Sequence, residues 1–428
     1  MKHQIQLTAV AVVVALTALS PLPAVAQGMS DKIGELISFG KCGQALCLNT
    51  GPGAHGAHYL KSAQTAGDQL VNFLTGSITA GVGRLPISAT SSGNTVSMVN
   101  GALVLGTTSA GPIFAERANT MGRGRSLFGV NTTGIRYSKL RGQSMDSLSF
   151  QLAHEDVLLV GLGDSPNERD VIGANLNMQF NLQVSTLFAT YGVTDRLDVS
   201  MAVPFVMASL DATANGRVFN DSTVTGNHYF DNAGTYTKTN TVSGSKAGIG
   251  DIAARLKYNL GSSAKSGVAF LADVRLPTGS AKDFLGAGSI AANAIVIASS
   301  TFGKFSPHAN VGFAIRTGEG QNSAMLGTFG FDQMVSPKFT VAFDLLSEFQ
   351  AGGDAGDLPP DFTIRPAGRT LIYSGSNVPR SKDNPISLSG GGRFVAGAFT
   401  ILANGLVPVK SGGLQANFIW TLGVDRRF

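Results

Sequence analysis

The sequence is short of charged residues and of cysteine, and each shortage excludes a class of protein. Only 14% of the 428 residues are charged, against about 25% in an ordinary protein. The formal net charge is +5 and no run of lysine or arginine occurs, so we predict no nucleic-acid partner. Two cysteines cannot staple a chain of this length. With 43% hydrophobic residues, the chain is too apolar to be disordered.

The sequence also lacks a hydrophobic run after residue 26 that could span a membrane as a helix. Before that point, Lys2 is followed by an apolar stretch from Leu7 to Leu19, and then by small residues up to Ala26. This pattern predicts a signal peptide over residues 1–26, cleaved after Ala26. An exported chain without a spanning helix is soluble in the periplasm, secreted, or a β-barrel in the outer membrane, because a closed barrel also satisfies its backbone groups in lipid.

The two cysteines, Cys42 and Cys47, lie close together after the predicted cleavage point. In an oxidising compartment this spacing favours a small disulfide loop. The alternative is a metal site that joins them with His55 and His58, although no second clean ligand pair is present. We predict no cofactor.

A long period-two alternation begins at Ala174 and runs to Phe188. The even positions are almost all apolar. The odd positions carry a row of amides, namely Asn175, Asn177, Gln179, Asn181 and Gln183. Soluble strands usually end after about five or six residues, whereas a tilted membrane strand needs about nine to eleven. The pattern therefore predicts a membrane strand, and a second one follows over 197–207.

The same alternation recurs along the chain and predicts an all-β protein, a transmembrane antiparallel outer-membrane β-barrel of about 12 strands. The predicted strands are 125–139, 174–188, 197–207, 252–260, 268–276, 289–300, 307–316, 325–332, 339–349, 386–394, 399–407 and 414–428. Long gaps, such as 211–248 and 350–385, alternate with short turns. A soluble β-sandwich is the alternative, but nothing in that fold requires long and short connections to alternate.

The chain divides into a signal peptide (1–26), an N-terminal segment (27–122) and the barrel (123–428). Leu70, Phe73, Leu74 and Ile78 have helical spacing, and Asn100-Gly101 lies between two apolar runs, which predicts a hairpin. Two interpretations of residues 27–122 stay open. They form either a periplasmic extension or a plug inside the barrel.

Polar residues on one face of the predicted strands are the candidates for lining the lumen. Unpaired amides in lipid would each cost several kcal/mol, so we expect the amide row to face inward together with Asp198. A second set of charges shares one face of two neighbouring strands or immediately precedes it: Asp251, Arg255, Lys257, Asp273 and Arg275. These groups form the wall of a narrow path, or only hydrogen bonds and salt bridges that fill the interior.

Several motifs resemble one family in their order along the chain. They are GPIFAER from Gly111, MGRGR from Met121, YGVTDRLDVSMAVPFV from Tyr191, GIGDIAARLKYNL from Gly248 and RLPTGSAKDFLGAGS from Arg275. They resemble the outer-membrane transporter family named after the meta-cleavage pathway of phenol degradation, over residues 111–428. The resemblance implies an outer-membrane barrel that helps hydrophobic or aromatic compounds to enter. It brings no established binding residues.

The last strand carries apolar side chains on one face and ends at Phe428. This ending resembles the signal read by the barrel-insertion machinery of Gram-negative bacteria, although Arg426 departs from the usual apolar pattern. The expected partners are thus outer-membrane lipid, the insertion machinery and small solutes.

We interpret the protein as a porin-like channel for passive uptake of small, hydrophobic or aromatic compounds. The alternative is a structural or surface-interaction barrel that transports nothing and binds a partner through its long loops. We do not predict an enzyme, since His154 is the only histidine beside carboxylates and has no evident nucleophile near it in sequence.

Overall fold

The structure is a computed structural model, and it describes fifteen stretches of the chain. These are residues 27–37, 39–40, 46–47, 56–84, 96–99, 102–105, 111, 114–153, 169–219, 229–231, 233–263, 265–318, 320–353, 356–365 and 368–428. The predicted signal peptide, Cys42 and His154 lie outside them. Cys47 is described only as part of a two-residue strand, so the disulfide stays a prediction.

Twelve antiparallel strands close into a barrel, which confirms the predicted fold class. Around the ring they are β5 (Ser126–Leu140), β8 (Val171–Gly192), β9 (Leu197–Phe219), β11 (Ile252–Ser262), β12 (Ser266–Leu276), β13 (Ala291–Ser300), β14 (Phe305–Arg316), β15 (Ala324–Ser336), β16 (Phe339–Gln350), β19 (Ile386–Ala396), β20 (Phe399–Lys410) and β21 (Leu414–Arg427). Strand β21 pairs with β5 and closes the ring. Each of the twelve predicted segments falls on one of these strands.

The remaining elements lie before the barrel or in its long connections. They are α1 (Met29–Ile37), β1 (Phe39–Gly40), β2 (Leu46–Cys47), α2 (Gly56–Gly83), β3 (Val96–Val99), β4 (Ala102–Leu105), β6 (Gln143–Ser144), a 3₁₀ turn (Met145–Ser147), β7 (Leu148–Ala153), β10 (Thr237–Ile249), β17 (Phe362–Ile364) and β18 (Leu371–Tyr373). None of the helices in the described part of the chain is long and apolar enough to cross a membrane. Strands β3 and β4 pair around Asn100-Gly101, as the hairpin motif predicts.

Short turns gather at one end of the barrel and longer connections at the other, as the alternation of gap lengths predicts. The turns are 193–196, 263–265, 301–304, 337–338 and 397–398. The barrel also begins and finishes at this end, where Ser126 and Phe428 exchange backbone hydrogen bonds of 3.1 and 2.9 Å. In outer-membrane barrels the short turns are periplasmic.

The outer face of the strands forms an apolar belt. Its exposed members come from every part of the ring, among them Leu256, Phe270, Val296, Phe313 and Phe329.

The single tryptophan belongs to the apolar belt. Trp420 lies flat against Gly134 on the neighbouring strand, where an added Cβ would come within 2.3 Å of the indole. Glycine at that position therefore lets the ring cover the strand from the lipid side.

Strands β8 and β9 continue well beyond the apolar belt, with 22 and 23 residues respectively. The long loop predicted over 211–248 is therefore wrong for most of its length, since β9 runs to Phe219 and β10 begins at Thr237. Strand β10 pairs with the distal part of β9, and β11 takes over the same edge of β9 after a break at Gly250-Asp251. The distal part of β9 and strand β10 were not predicted, because small residues rather than large apolar ones alternate with polar residues there.

The expected inward orientation of the amide row is also wrong. Asn175, Asn177, Gln179 and Gln183 are exposed on the outer face of β8, and Asn181 is half-buried there. The apolar residues between them face the interior and are buried, for example Phe180. The physical reason is the position of these amides along the barrel axis. They lie beyond the apolar belt, where water hydrates them. Leu187, on the same face of β8, lies within the belt and is 64% exposed.

Part of the N-terminal segment packs against this buried apolar face. In α1, Ile33, Leu36 and Ile37 are completely buried, and the Asn240 amide of β10 donates to the Glu35 carbonyl at 2.9 Å. Helix α2 carries the residues with helical spacing, and Leu74, Ile78 and Val82 join the same apolar cluster. The exact boundary of an N-terminal domain at residue 122 stays a prediction.

The position of a residue along the barrel axis should decide whether the outer face of β8 tolerates an arginine there. Leu187→Arg places a cation in the lipid belt and should lower the free energy of unfolding by about 2–4 kcal/mol. Asn177→Arg, on the same face of the same strand, should change it by less than about 0.5 kcal/mol. Urea titration of the protein in lipid vesicles measures both. Equal destabilisation by the two variants would contradict the assignment of the amides to the aqueous side.

Candidate functional site

Residues 114–121, which we call the lumen segment, cross the interior near the periplasmic end. The Met121 N–H donates to both carboxylate oxygens of Asp198 at 3.0 Å. The Ala118 N–H donates to the Ser299 hydroxyl at 3.1 Å, and the Ala118 carbonyl accepts from the Asn259 amide at 2.8 Å. Inward side chains of β9, β11 and β13 thus satisfy the backbone of a segment that belongs to no helix or strand.

Glu116 of the lumen segment is held by a two-way hydrogen bond and by two cations. Its N–H donates to Asn310 Oδ1 at 2.7 Å, and its carbonyl accepts from Asn310 Nδ2 at 2.9 Å. Its carboxylate lies 3.3 Å from Lys257 Nζ and 3.7 Å from the Arg255 guanidinium. Lys257 Nζ also lies 3.9 Å from Asp198 Oδ2. Each of these buried charges therefore has an opposite charge beside it, as burial requires.

Arg117 extends the lumen segment to β15 through a buried ion pair with Asp332. The Arg117 side chain is only 3% exposed. His308 lies next to this pair, with Nδ1 3.7 Å from Asp332 and Nε2 2.7 Å from Asp344. The lumen segment is consequently anchored to wall strands from β9 to β15.

A second set of ion pairs holds the end of α2. Arg84 lies 3.3 Å from Glu348 and 3.4 Å from Asp383. Glu348 also accepts two hydrogen bonds of 2.9 Å from Arg316, and Asp383 accepts one of 2.9 Å from Arg141. These contacts connect the end of the helix to strands β14 and β16 and to the loop before β19.

Between the end of α2 and the lumen segment lies a cavity of about 290 Å³. Gly83 and Arg84 line it on one side, and Phe114 and Glu116 on the other. The wall contributes aliphatic side chains, including Leu271, Ile295, Leu326, Leu346 and Leu406. Four arginines and three carboxylates also reach the cavity, namely Arg84, Arg255, Arg275, Arg316, Glu116, Asp273 and Glu348. The site is therefore part apolar and part charged.

The charged residues that the sequence predicts to line the lumen lie at three positions along the barrel axis. Arg255, Asp273 and Arg275 line the cavity, and Arg255 pairs with Asp273, its direct cross-strand partner, at 2.5 Å. Asp198 and Lys257 lie lower, against the lumen segment. Asp251 lies in the break before β11, where its oxygens accept from the backbone of Gly279 and Ala287.

Other cavity residues were missed in the sequence. Arg316 and Glu348 each share the inward face of their strand with other polar residues, such as His308 on β14 and Asp344 on β16. Their parity along the strand could therefore have found them. Glu116 and Arg117 belong to a segment with no periodic pattern, and no local signal tells which wall strand they meet.

The closed antiparallel ring, its apolar outer belt and its charged interior define an outer-membrane β-barrel. A model of the family described as "Putative MetA-pathway of phenol degradation" matches residues 163–375 of this chain. This match confirms the resemblance found in the motifs. No curated protein matches the chain.

Three solved structures are among those similar to this chain. An outer membrane channel from Pseudomonas putida F1 has 12% identity and a TM-score of 0.41, with 72% of this chain and 97% of that chain covered. A Pseudomonas aeruginosa FadL homologue has 11% identity and a TM-score of 0.32, with 80% and 97% covered. A mutant of the TodX monoaromatic hydrocarbon channel has 11% identity and a TM-score of 0.30, with 71% and 89% covered.

The two-way hydrogen bond at Glu116 predicts how firmly the lumen segment is held. Asn310→Ala removes both hydrogen bonds, each of which contributes about 0.5–1.5 kcal/mol. The open probability in planar bilayers should therefore rise by about fivefold or more. The matched control is Asn404→Ala, which removes a hydrogen bond to Ser389 within the wall and should leave the open probability unchanged. An equal rise in both variants would contradict a specific anchor at Glu116.

Proposed function

We propose that this barrel is a passive channel that takes up small, hydrophobic or aromatic compounds through the outer membrane. The observation that carries the proposal is the cavity of about 290 Å³ within the lumen, between α2 and the lumen segment. Ligand pockets for drug-sized molecules span about 300–1,000 Å³, so this space suits a molecule with a single ring.

The chemistry of the cavity supports the same class of solute. Aliphatic side chains from five wall strands supply an apolar surface, and arginines supply hydrogen-bond donors. A phenol-like molecule has an apolar ring and one polar oxygen, so it can use both parts of the lining. Phenol degradation also appears in the description of the matching family. A purely polar solute would leave the aliphatic part of the lining without a partner.

Passage requires the N-terminal residues to shift, because they lie on both sides of the cavity. The groups that hold them are ion pairs and hydrogen bonds, such as Arg84 with Glu348 and Glu116 with Lys257. Water can replace partners of this kind when the contact opens, at a lower cost than the exposure of an apolar core. The lumen of twelve strands is also narrower than that of the sixteen-stranded general porins, which favours small solutes.

Export and insertion complete the proposal. Residues 1–26 would direct the chain out of the cytoplasm of a Gram-negative cell and be cleaved after Ala26. The insertion machinery would read the last strand, whose apolar face includes Trp420 and Phe428. Both side chains are exposed on the outer surface, and Phe428 packs edge-on against Phe128 with ring centroids 5.8 Å apart.

A reversible lock on α2 tests this function. An added Cβ at Gly83 would lie 2.9 Å from the Cβ of Ala287, so Gly83→Cys and Ala287→Cys can form a disulfide after a small shift. Both native cysteines are replaced in this background by Cys42→Ser and Cys47→Ser. Proteoliposomes with the oxidised protein should take up phenol at the rate of empty liposomes. Reduction should restore the rate of the parent that lacks all cysteines.

Two results would contradict the proposal at different points. Equal uptake by the oxidised and reduced forms would exclude control by α2. No uptake above empty liposomes by the parent protein would favour the surface-interaction barrel instead.

A further inference from the structure

Arg275 differs from the other arginines of the cavity in its partners. Its Nη1 donates to the Gly83 carbonyl at 2.7 Å. Its Nε is buried and has no hydrogen-bond partner among the described residues. The nearest carboxylate oxygen in an ion pair with Arg275 is Asp273 Oδ1, 3.8 Å from Nε, which is beyond hydrogen-bond distance.

The carboxylates around Arg275 are already engaged elsewhere. Asp273 accepts from Arg255 Nε at 2.5 Å, and Glu348 accepts from both Nη atoms of Arg316 at 2.9 Å. Asp251, which lies with Arg275 on a smaller adjoining cavity, accepts two backbone N–H groups. One edge of the Arg275 guanidinium is thus left without a hydrogen-bonded anion.

The residues that line the cavity carry an excess of positive charge. Four arginines and three carboxylates line it, an excess of one cation among the lining residues. In a partly enclosed space with a low effective dielectric constant, such an excess attracts an anion more strongly than it would in water. The aliphatic remainder of the lining excludes a strongly hydrated ion as the preferred ligand.

Apolar side chains line the same cavity as this cation. Ala291 is the cross-strand partner of Arg275 on β13, and Leu271 and Ile295 lie four residues farther along the same two strands, beyond Asp273 and Asn293. A ligand with its anionic group at Arg275 would therefore place a compact apolar body in the cavity against Ala291.

We propose that the central cavity binds small organic monoanions, specifically carboxylates with a compact apolar body, and that Arg275 receives the carboxylate. Arginine suits this role because its planar guanidinium donates two parallel hydrogen bonds to a carboxylate. The proposal deepens the proposed function and rests on it, since the solute bound here is the one that crosses the barrel.

The test compares ligands of matched size and different charge. Isothermal titration calorimetry on the detergent-solubilised full chain uses benzoate, benzyl alcohol and acetate. Benzoate should bind at least about tenfold more tightly than benzyl alcohol, since a charged hydrogen bond contributes about 1.5–3 kcal/mol. Acetate, which lacks the apolar body, should bind at least about tenfold more weakly than benzoate. Equal affinity for benzoate and benzyl alcohol would overturn the proposal without any variant.

Variants then assign the preference to Arg275. Arg275→Gln should weaken benzoate at least about tenfold and change benzyl alcohol by less than about twofold, and Arg275→Lys should retain part of the preference. Arg136→Gln is the matched control, because Arg136 is exposed on the outer face of β5 and should leave both affinities unchanged. Undiminished benzoate binding by Arg275→Gln would overturn the assignment.

The two proposals fail in distinguishable ways. Phenol uptake by proteoliposomes without any preference for benzoate would overturn this inference and leave the channel function intact. Benzoate binding that depends on Arg275, together with no uptake of phenol or benzoate, would retain the site and overturn the channel.

Discussion

Every backbone N–H and C=O group within the lipid must find its partner inside the protein, and the pairing of β21 with β5 meets this requirement by closing the sheet. Closure leaves each strand residue with two possible surroundings, the lipid or the interior. Because the pleat alternates its side chains, apolar residues such as Leu256 point outward while Lys257 beside it points inward. The low overall charge of the chain follows, since half of each strand must be acceptable to lipid.

A ring of twelve strands is wider than the eight-stranded ring that its own side chains fill. Residues from before the barrel therefore occupy part of the interior, and they do so in two ways. Helix α1 buries Ile33 and Leu36 against the distal apolar face of the wall. The lumen segment and the end of α2 are held by paired charges, for example Arg117 with Asp332 and Arg84 with Glu348.

The strands could be predicted from the sequence because the two-residue period is imposed locally by the pleat. It was harder to predict which face of each strand points inward, because the alternation in β8 is the same whether Asn177 faces the lumen or external water. Only the position of the apolar belt along the strand decides between the two, and Leu187 lies within this belt. The contact between Glu116 and Asn310 joins residues that are 194 positions apart, and no local pattern encodes such a pair. The sequence pattern places Arg275 on a polar face, but it does not show that Arg275 has no hydrogen-bonded anion.

The two ways of filling the interior should respond differently when the channel opens. Removing an apolar group such as Leu36 from its buried contacts exposes hydrocarbon, which costs about 1.5–3 kcal/mol for each large side chain. The members of a separated ion pair can instead regain hydration, which offsets the lost attraction between them. We therefore expect α1 to stay in place while the contacts of Arg84 or Glu116 open and reform. Such contacts can hold the N-terminal residues in the lumen without fixing them permanently, which the proposed passive channel requires.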